Sequence, residues 1–448
     1  MLSASVGVLI TFLYIYPVLL ADPQHARLRL TTEITNVRVF DGREVFSGPE
    51  TIYIGADGQI SHSRPSRLDA IVDGTNKFLV PGLIESHAHP ASTEELTEFA
   101  SYGVTTVFSL ATFNFTDALA LKRDAREAGL PDVLLAGVPA VGVNGRHAMM
   151  FKQAPHAVDW LLAPQSDLAN FVDWNFGNGS DFIKVVAQEN GPTLAQQSEI
   201  VRRAHAHDRM VATHAVDLES YRVAVQSKAD SVHHSVSDAP LSADIVQLMR
   251  AQGQVAVPTL VLTKLVKSHA PLRAIFRGMA HPGATLAQAL ANARALHAAG
   301  VPLLAGTDAV SLLGITLPHG ITLQCELELL VEAGMSPAEA LRAATADAAG
   351  FQRLSDRGVV RDGLRADLLL LGANPTEDIT NIAAIEKAWI DGFALGHSVG
   401  RSGGCANIVV GFKPWIRALG IFVRVSEVVG DLASKIRSVR FTARKMEL

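Results

Sequence analysis

From residue 81 to about residue 349, short β-branched apolar runs alternate with longer Ala- and Leu-rich stretches whose apolar positions recur at helical spacing. That alternation is the pattern of repeated βα units around a parallel sheet. Strands are expected at residues 83–86, 104–110, 133–138, 182–186, 210–213, 231–232, 255–260 and 301–305, and helices at 117–128, 196–206, 285–299, 323–333 and 337–345. The reading is an α/β chain whose residues 81–350 form a (β/α)8 TIM barrel, although periodicity by itself also fits an open doubly wound sheet.

Outside this stretch the pattern changes. Residues 32–80 read as short strands separated by turn signals (ITNVRVFDG, ETIYIGADGQI, AIVDGTNKFLV), and ADLLLLG and AAIEKAWIDG return to strand character within residues 356–395. A small β-sandwich domain assembled from both ends of the chain is expected. Residues 1–21 hold an almost uncharged apolar run ending near Ala21, which reads as a secretory signal peptide, with a membrane anchor as the alternative. Residues 396–448 form a basic extension mixing apolar residues with Lys and Arg at roughly helical spacing, open to a partner-packed helix or to membrane contact. The sequons at Asn114 and Asn178 suit a secreted chain.

Composition narrows the function. The chain has 448 residues, 48% of them hydrophobic, enough for a large core with a smaller appendage. A net charge of -5 leaves no basic field for a nucleic acid backbone. The two cysteines, Cys325 and Cys405, are too few for a disulfide framework or a thiolate zinc site, so any metal must be held by imidazole and carboxylate-type ligands.

Candidate ligands stand where expected strands end. His87 and His89 in PGLIESHAHP are two residues apart in an extended chain and point the same way, at the strand end where barrels place their active sites. Lys184 in DFIKVVA, His214 in VATHAVD, His234 in SVHHSV and Asp308 in LLAGTDA likewise interrupt or end apolar runs. A lysine inside an apolar strand costs several kcal/mol unless neutralised or paired. Its company of histidines and an aspartate at the same height points to a functional site.

The order His-x-His, Lys, His, His, Asp at successive strand ends resembles the amidohydrolase superfamily, in its imidazolonepropionase-like and prolidase-like branch. VPGLIESHAHP, GVTTV, FIKVV, HHS, AGTDA, and ELELLVEAGMSPAEALRAAT with GLRADLLLL carry the likeness over residues 32–392. The resemblance implies a hydrolase of amide or other carbon–nitrogen bonds in a small dipeptide-like, N-acyl or cyclic amide substrate. It also implies two divalent ions, best suited to Zn2+ with manganese, cobalt or iron as options, and a carbamate on Lys184 made from CO2. One ion would take His87, His89 and Asp308, the other His214 and His234, with Lys184 and a hydroxide shared between them and Asp308 as general base and acid. Glu85 stands where many members carry Asp, with its effect in the packing below the metal. His233 adjoins His234, so spacing leaves the ligand of that pair open and the family register favours His234. His147 and His319 are the candidate substrate-binding residues.

Rival readings are weaker. Gly396-His397-Ser398-Val399-Gly400 matches a nucleophile elbow, but no histidine follows Ser398. His205 and His207 share an expected helix on different faces and read as solvent-facing. Arg146, His147 and Lys152 cluster on one loop and would suit an anionic substrate group. An ester or lactone hydrolase on the same site, a non-catalytic binding barrel and a membrane-attached partner protein are the alternatives. A homo-oligomer is expected, though nothing in the sequence shows one.

Overall fold

The structure is a computed structural model that describes residues 29–44, 48–151, 157–276, 283–312, 314–396 and 403–412. The apolar segment at residues 1–21, Lys152, Ser398 and the basic tail after residue 412 lie outside the described residues. Among the described residues, no helix is long and apolar enough to cross a membrane.

The strands Leu83–His89, Val104–Ser109 and Asp132–Leu135 pair in parallel. So do Ile183–Val186, Val211–His214, Ser231–His233 and Val255–Val257. Nearly every residue in these strands is buried, as expected of parallel strands covered on both faces. Two short bridges join the groups. Asp181 N–H donates to Leu135 O at 2.7 Å, and Ala140 exchanges hydrogen bonds with Lys184 O and Val186 N–H at 2.8 and 3.0 Å. On the far side Leu304 N–H reaches Ala256 O at 2.9 Å, and Ser86 N–H returns to Ala305 O at 3.0 Å, so the bonding comes back to the first strand.

Two expected strands depart most from their apolar runs. Residues 301–305 are not a regular strand: Pro302 has no N–H to give, and only a bridge between Ala256 and Leu303 forms there. The run at residues 255–260 stops at Val257, because Pro258 follows and Thr259 takes φ 46° as the N-cap of helix Leu260–Ser268. Helices lie between the strands with legible starts, such as the capping boxes Thr193/Gln196 before Leu194–Ala206 and Ser336/Glu339 before Pro337–Ala343. On Leu194–Ala206 the buried positions Gln197, Ile200, Val201 and Ala204 form the single stripe that faces the strands.

Both ends of the chain meet in an eight-stranded mixed sheet that runs from Phe393–Ala394 through Leu368–Leu371, Phe78–Pro81 and Thr32–Val39 to Ile60–Ser61. The strand Leu368–Leu371 shows how this sheet attaches. Leu368 and Leu370 pack with Ile34, Ile52 and Trp389, whereas Leu369 and Leu371 point to the opposite side and join the main core.

The two cysteines form one link and no framework. Cys325 and Cys405, 80 residues apart, are bonded to each other, which ties residues 403–412 to helix Ile321–Glu332. The same segment adds Gly411–Phe412 as an antiparallel strand on Ile315–Thr316. His205 and His207 are exposed and bonded to Asp230 and Asp173, the solvent-facing arrangement expected of them.

Candidate metal centre

The strand Leu83–His89 presents His87 and His89 on one side, and residues 303–308 bring Asp308 to meet them. The Nε2 atoms of His87 and His89 lie 3.3 and 3.0 Å from the same oxygen, Asp308 Oδ1. One ligand atom from each of the three falls within 4.8 Å of the others, close enough to share one ion. The approach is tight: a Cβ on Gly306 would stand 2.9 Å from His87 Cβ and 2.5 Å from Val257 Cγ1, so only glycine lets this segment pass. Asp308 has φ 60° and is held by its N–H to His87 O at 2.7 Å. A non-glycine residue stays in this left-handed region only where its surroundings hold it there.

A second group of side chains adjoins the first. The His214 and His234 rings are 4.4 Å apart, and His234 lies 4.8 Å from His87. Lys184 comes from the middle of the neighbouring strand, and its charge bears on His87, His214, His234 and Asp308 alike. Lys184 is 4% exposed, and its Nζ has no hydrogen-bond partner; neither does the buried Nε2 of His214. Burial pushes the Lys184 amine down to about 7, against the pull of Asp308. Burial also drives His87, His214 and His234 well below the usual imidazole range, reinforced by neighbouring cations. Asp308 goes the other way. Burial pushes it up, but the His89 hydrogen bond and the charges of His89, His234 and Lys184 outweigh that and hold the carboxylate at about 2. The result is a set of nitrogen donors around one carboxylate, a combination suited to cations.

His233 and His234 separate at the end of their strand. His234 has φ 75°, and its Nδ1 lies 2.9 Å from Thr259 Oγ1. His233 instead sits with Nδ1 2.9 Å from His87 Nδ1 and Nε2 2.9 Å from Ser231 Oγ. Both of its nitrogens are engaged, whereas His234 keeps one for a ligand.

His147 lies on this side too, its ring 4.7 Å from His214. Its Nδ1 donates to Gln188 Oε1 at 2.7 Å, which leaves Nε2 as an acceptor, and burial lowers its pKa. His319 stands against another helix, and its buried Nε2 has no hydrogen-bond partner. It is fully buried against helix Thr93–Ser101, with Nδ1 3.3 Å from Glu98, Nε2 3.8 Å from Glu95 and its ring on Phe99.

Several supporting residues escaped the sequence reading. Thr259 is one, set by its left-handed backbone. Glu326 is another: fully buried, it accepts Leu260 N–H at 2.9 Å and Val261 N–H at 2.7 Å, and so starts the helix that carries Thr259. An acid inside the apolar run ITLQCELELL was the available signal. Glu326→Ala is expected to lose about 2 kcal/mol or more, because two buried amides lose their acceptor. Thermal unfolding of variant and wild type checks this, and an unchanged midpoint would dismiss the role.

Residues 78–395 match the family model described as "Amidohydrolase family". The ochratoxinase of Aspergillus niger is 30% identical over 281 residues, covering 57% of this chain and 54% of that protein. The imidazolonepropionase of Shouchella clausii is 25% identical over 395 residues, covering 74% and 79%. Among solved structures, a Xaa-Pro dipeptidase with bound methionine in its active site superposes with a TM-score of 0.70 at 23% identity, over 82% of this chain and 99% of its own, a likeness of fold. With a family match across most of the chain, the protein belongs to the amidohydrolase family and is a hydrolase acting on carbon–nitrogen bonds.

Proposed function

We propose that the chain is a metal-dependent amidohydrolase that cleaves an amide bond in a small molecule, on a (β/α)8 barrel flanked by a small β-sandwich. The circuit of parallel pairing from Leu83–His89 around to Ala305 supports the barrel. The observation that carries the function is the pair of orphaned buried nitrogens, Lys184 Nζ and His214 Nε2, beside the His87, His89 and Asp308 cluster. Unpartnered polar atoms this deep cost free energy unless something else satisfies them.

The residues suit two divalent ions, zinc best. His87, His89 and Asp308 would hold one and His214 and His234 the other. Lys184 would join them as a carbamate, formed when its neutral amine adds to CO2 and releases one proton. An amine held near 7 supplies that neutral form at ordinary pH. When bound, such ions acidify water and polarise a carbonyl. Asp308, ionised and next to both histidines, takes the proton of the attacking water and returns it to the leaving nitrogen. His147, fixed by Gln188 with Nε2 free to accept, meets a donor group of the substrate.

We further propose export from the cytosol. The apolar segment at residues 1–21 and the Cys325–Cys405 bond support it.

The test is metal content per chain by elemental mass spectrometry, on wild type and Lys184→Ala purified with bicarbonate and without chelator. About two equivalents in the wild type, falling to about one or fewer in the variant, are expected. A folded wild type with no bound metal would sink the proposal.

A further inference from the structure

We propose that His233 is a positioning residue that, with Ser231, orients the His87 ring and accepts the His87 proton at Nδ1 when a cation takes Nε2. The inference rests on the metal centre proposed above.

The geometry leaves little freedom. His233 is 1% exposed at the end of strand Ser231–His233, and its Nδ1 faces His87 Nδ1 at 2.9 Å. Two imidazole nitrogens at that distance share a single proton: one donates and the other accepts. If His233 donates, the His87 proton sits on Nε2, aimed at Asp308 Oδ1 3.3 Å away, and no lone pair faces the cluster. If His87 donates, its Nε2 is bare and its ring can act as a ligand.

The second arrangement needs His233 to accept at Nδ1 and therefore to carry its own proton on Nε2. Ser231 Oγ, 2.9 Å from that nitrogen, accepts it. Conversion between the two moves the His87 proton from Nε2 to Nδ1 and the His233 proton from Nδ1 to Nε2, while the Ser231 hydroxyl turns from donor to acceptor. No proton leaves the group. His87 thus has a built-in place for its proton when a cation takes Nε2, and a metal-bound histidine needs such a partner on its other nitrogen. Thr259 gives His234 its partner at Nδ1 in the same way, so the neighbouring residues of one His-His pair serve two different ends.

The experiment compares His233→Leu with His233→Asn. Leucine fills the space without an acceptor, whereas the asparagine Oδ1 falls where the histidine Nδ1 was and accepts from His87. Zinc affinity is read by competition with a chromophoric chelator, and the Co2+-loaded proteins are compared by visible absorption. His233→Leu is expected to bind zinc about 10–100-fold more weakly, with a changed Co2+ spectrum, and His233→Asn to recover most of the loss. Equal loss in both variants, or wild-type affinity in His233→Leu, would overturn the proposal. If His233→Leu does not fold, Ser231→Ala carries the test: weaker zinc binding supports the relay and unchanged binding overturns it. A wild type that takes no zinc is a separate result, which removes the metal centre itself.

Discussion

Asp308→Asn is expected to lower kcat by about a thousandfold while the protein stays folded. The substitution keeps the shape of the side chain and an oxygen for the two histidines, but it removes the negative charge and the ability to take a proton. In the wild type the His89 hydrogen bond and the charges around Asp308 overcome its burial and hold it ionised down to about pH 2. Its group is therefore ionised, with its oxygens open to a proton, throughout the range in which the enzyme would work. Asp308 also meets both His87 and His89 through one oxygen, so the same substitution could act by weakening metal binding. Metal content measured beside the steady-state rates, on whichever amide the wild type cleaves, separates the two. A variant that keeps its metal and loses the rate supports proton transfer by Asp308. One that keeps more than about a tenth of the wild-type kcat would exclude that role.

How much of this was legible depended on range along the chain. Lys184 and His214 stood out because each breaks or ends an apolar run, and a buried strand admits such residues only with a purpose. The return of the chain to one sheet was legible because ADLLLLG and AAIEKAWIDG keep strand character in the amino-acid order. Spacing alone left the choice between His233 and His234 open, and only the family register favoured His234. Neighbours on a strand point to opposite sides, and which side faces the cluster depends on the φ of 75° at His234, a value set by tertiary contacts. Thr259 was hidden for the same reason, inside an apolar run that looked like continuing strand. The Cys325–Cys405 bond joins residues 80 apart, and two cysteines carry no spacing pattern from which a pairing can be read. Local propensity therefore gave the elements, whereas the contacts that orient the ligands came from segments distant in sequence.

Glu85 shows how firmly those distant segments are joined, and Glu85→Ala is expected to cost the fold about 4 kcal/mol. The side chain is fully buried below His87. Its Oε1 accepts His87 N–H at 2.9 Å and Thr307 N–H at 3.0 Å, and its Oε2 accepts the Thr307 hydroxyl at 2.8 Å. One carboxyl thus clamps the first strand to the segment that carries Asp308, which is 222 residues further along the chain at Thr307. Thr307 N–H has a second acceptor in His87 O at 3.1 Å, so alanine leaves two donors wholly without partners and a third weakened, together with a cavity. Burial pushes the Glu85 carboxyl up to about 8 against the hydrogen bonds it accepts, so burial disfavours its charge, and an amide of the same shape replaces it without that cost. Glu85→Gln can keep the two N–H bonds on its oxygen and donate its NH2 to Thr307 Oγ1. It should lie within about 1 kcal/mol of wild type. Thermal unfolding of the three proteins near pH 7 decides: a midpoint lowered by about 5 °C or more in Glu85→Ala and nearly recovered in Glu85→Gln fits the clamp. Equal midpoints in all three would mean that the two segments are held together by their backbone bonds alone.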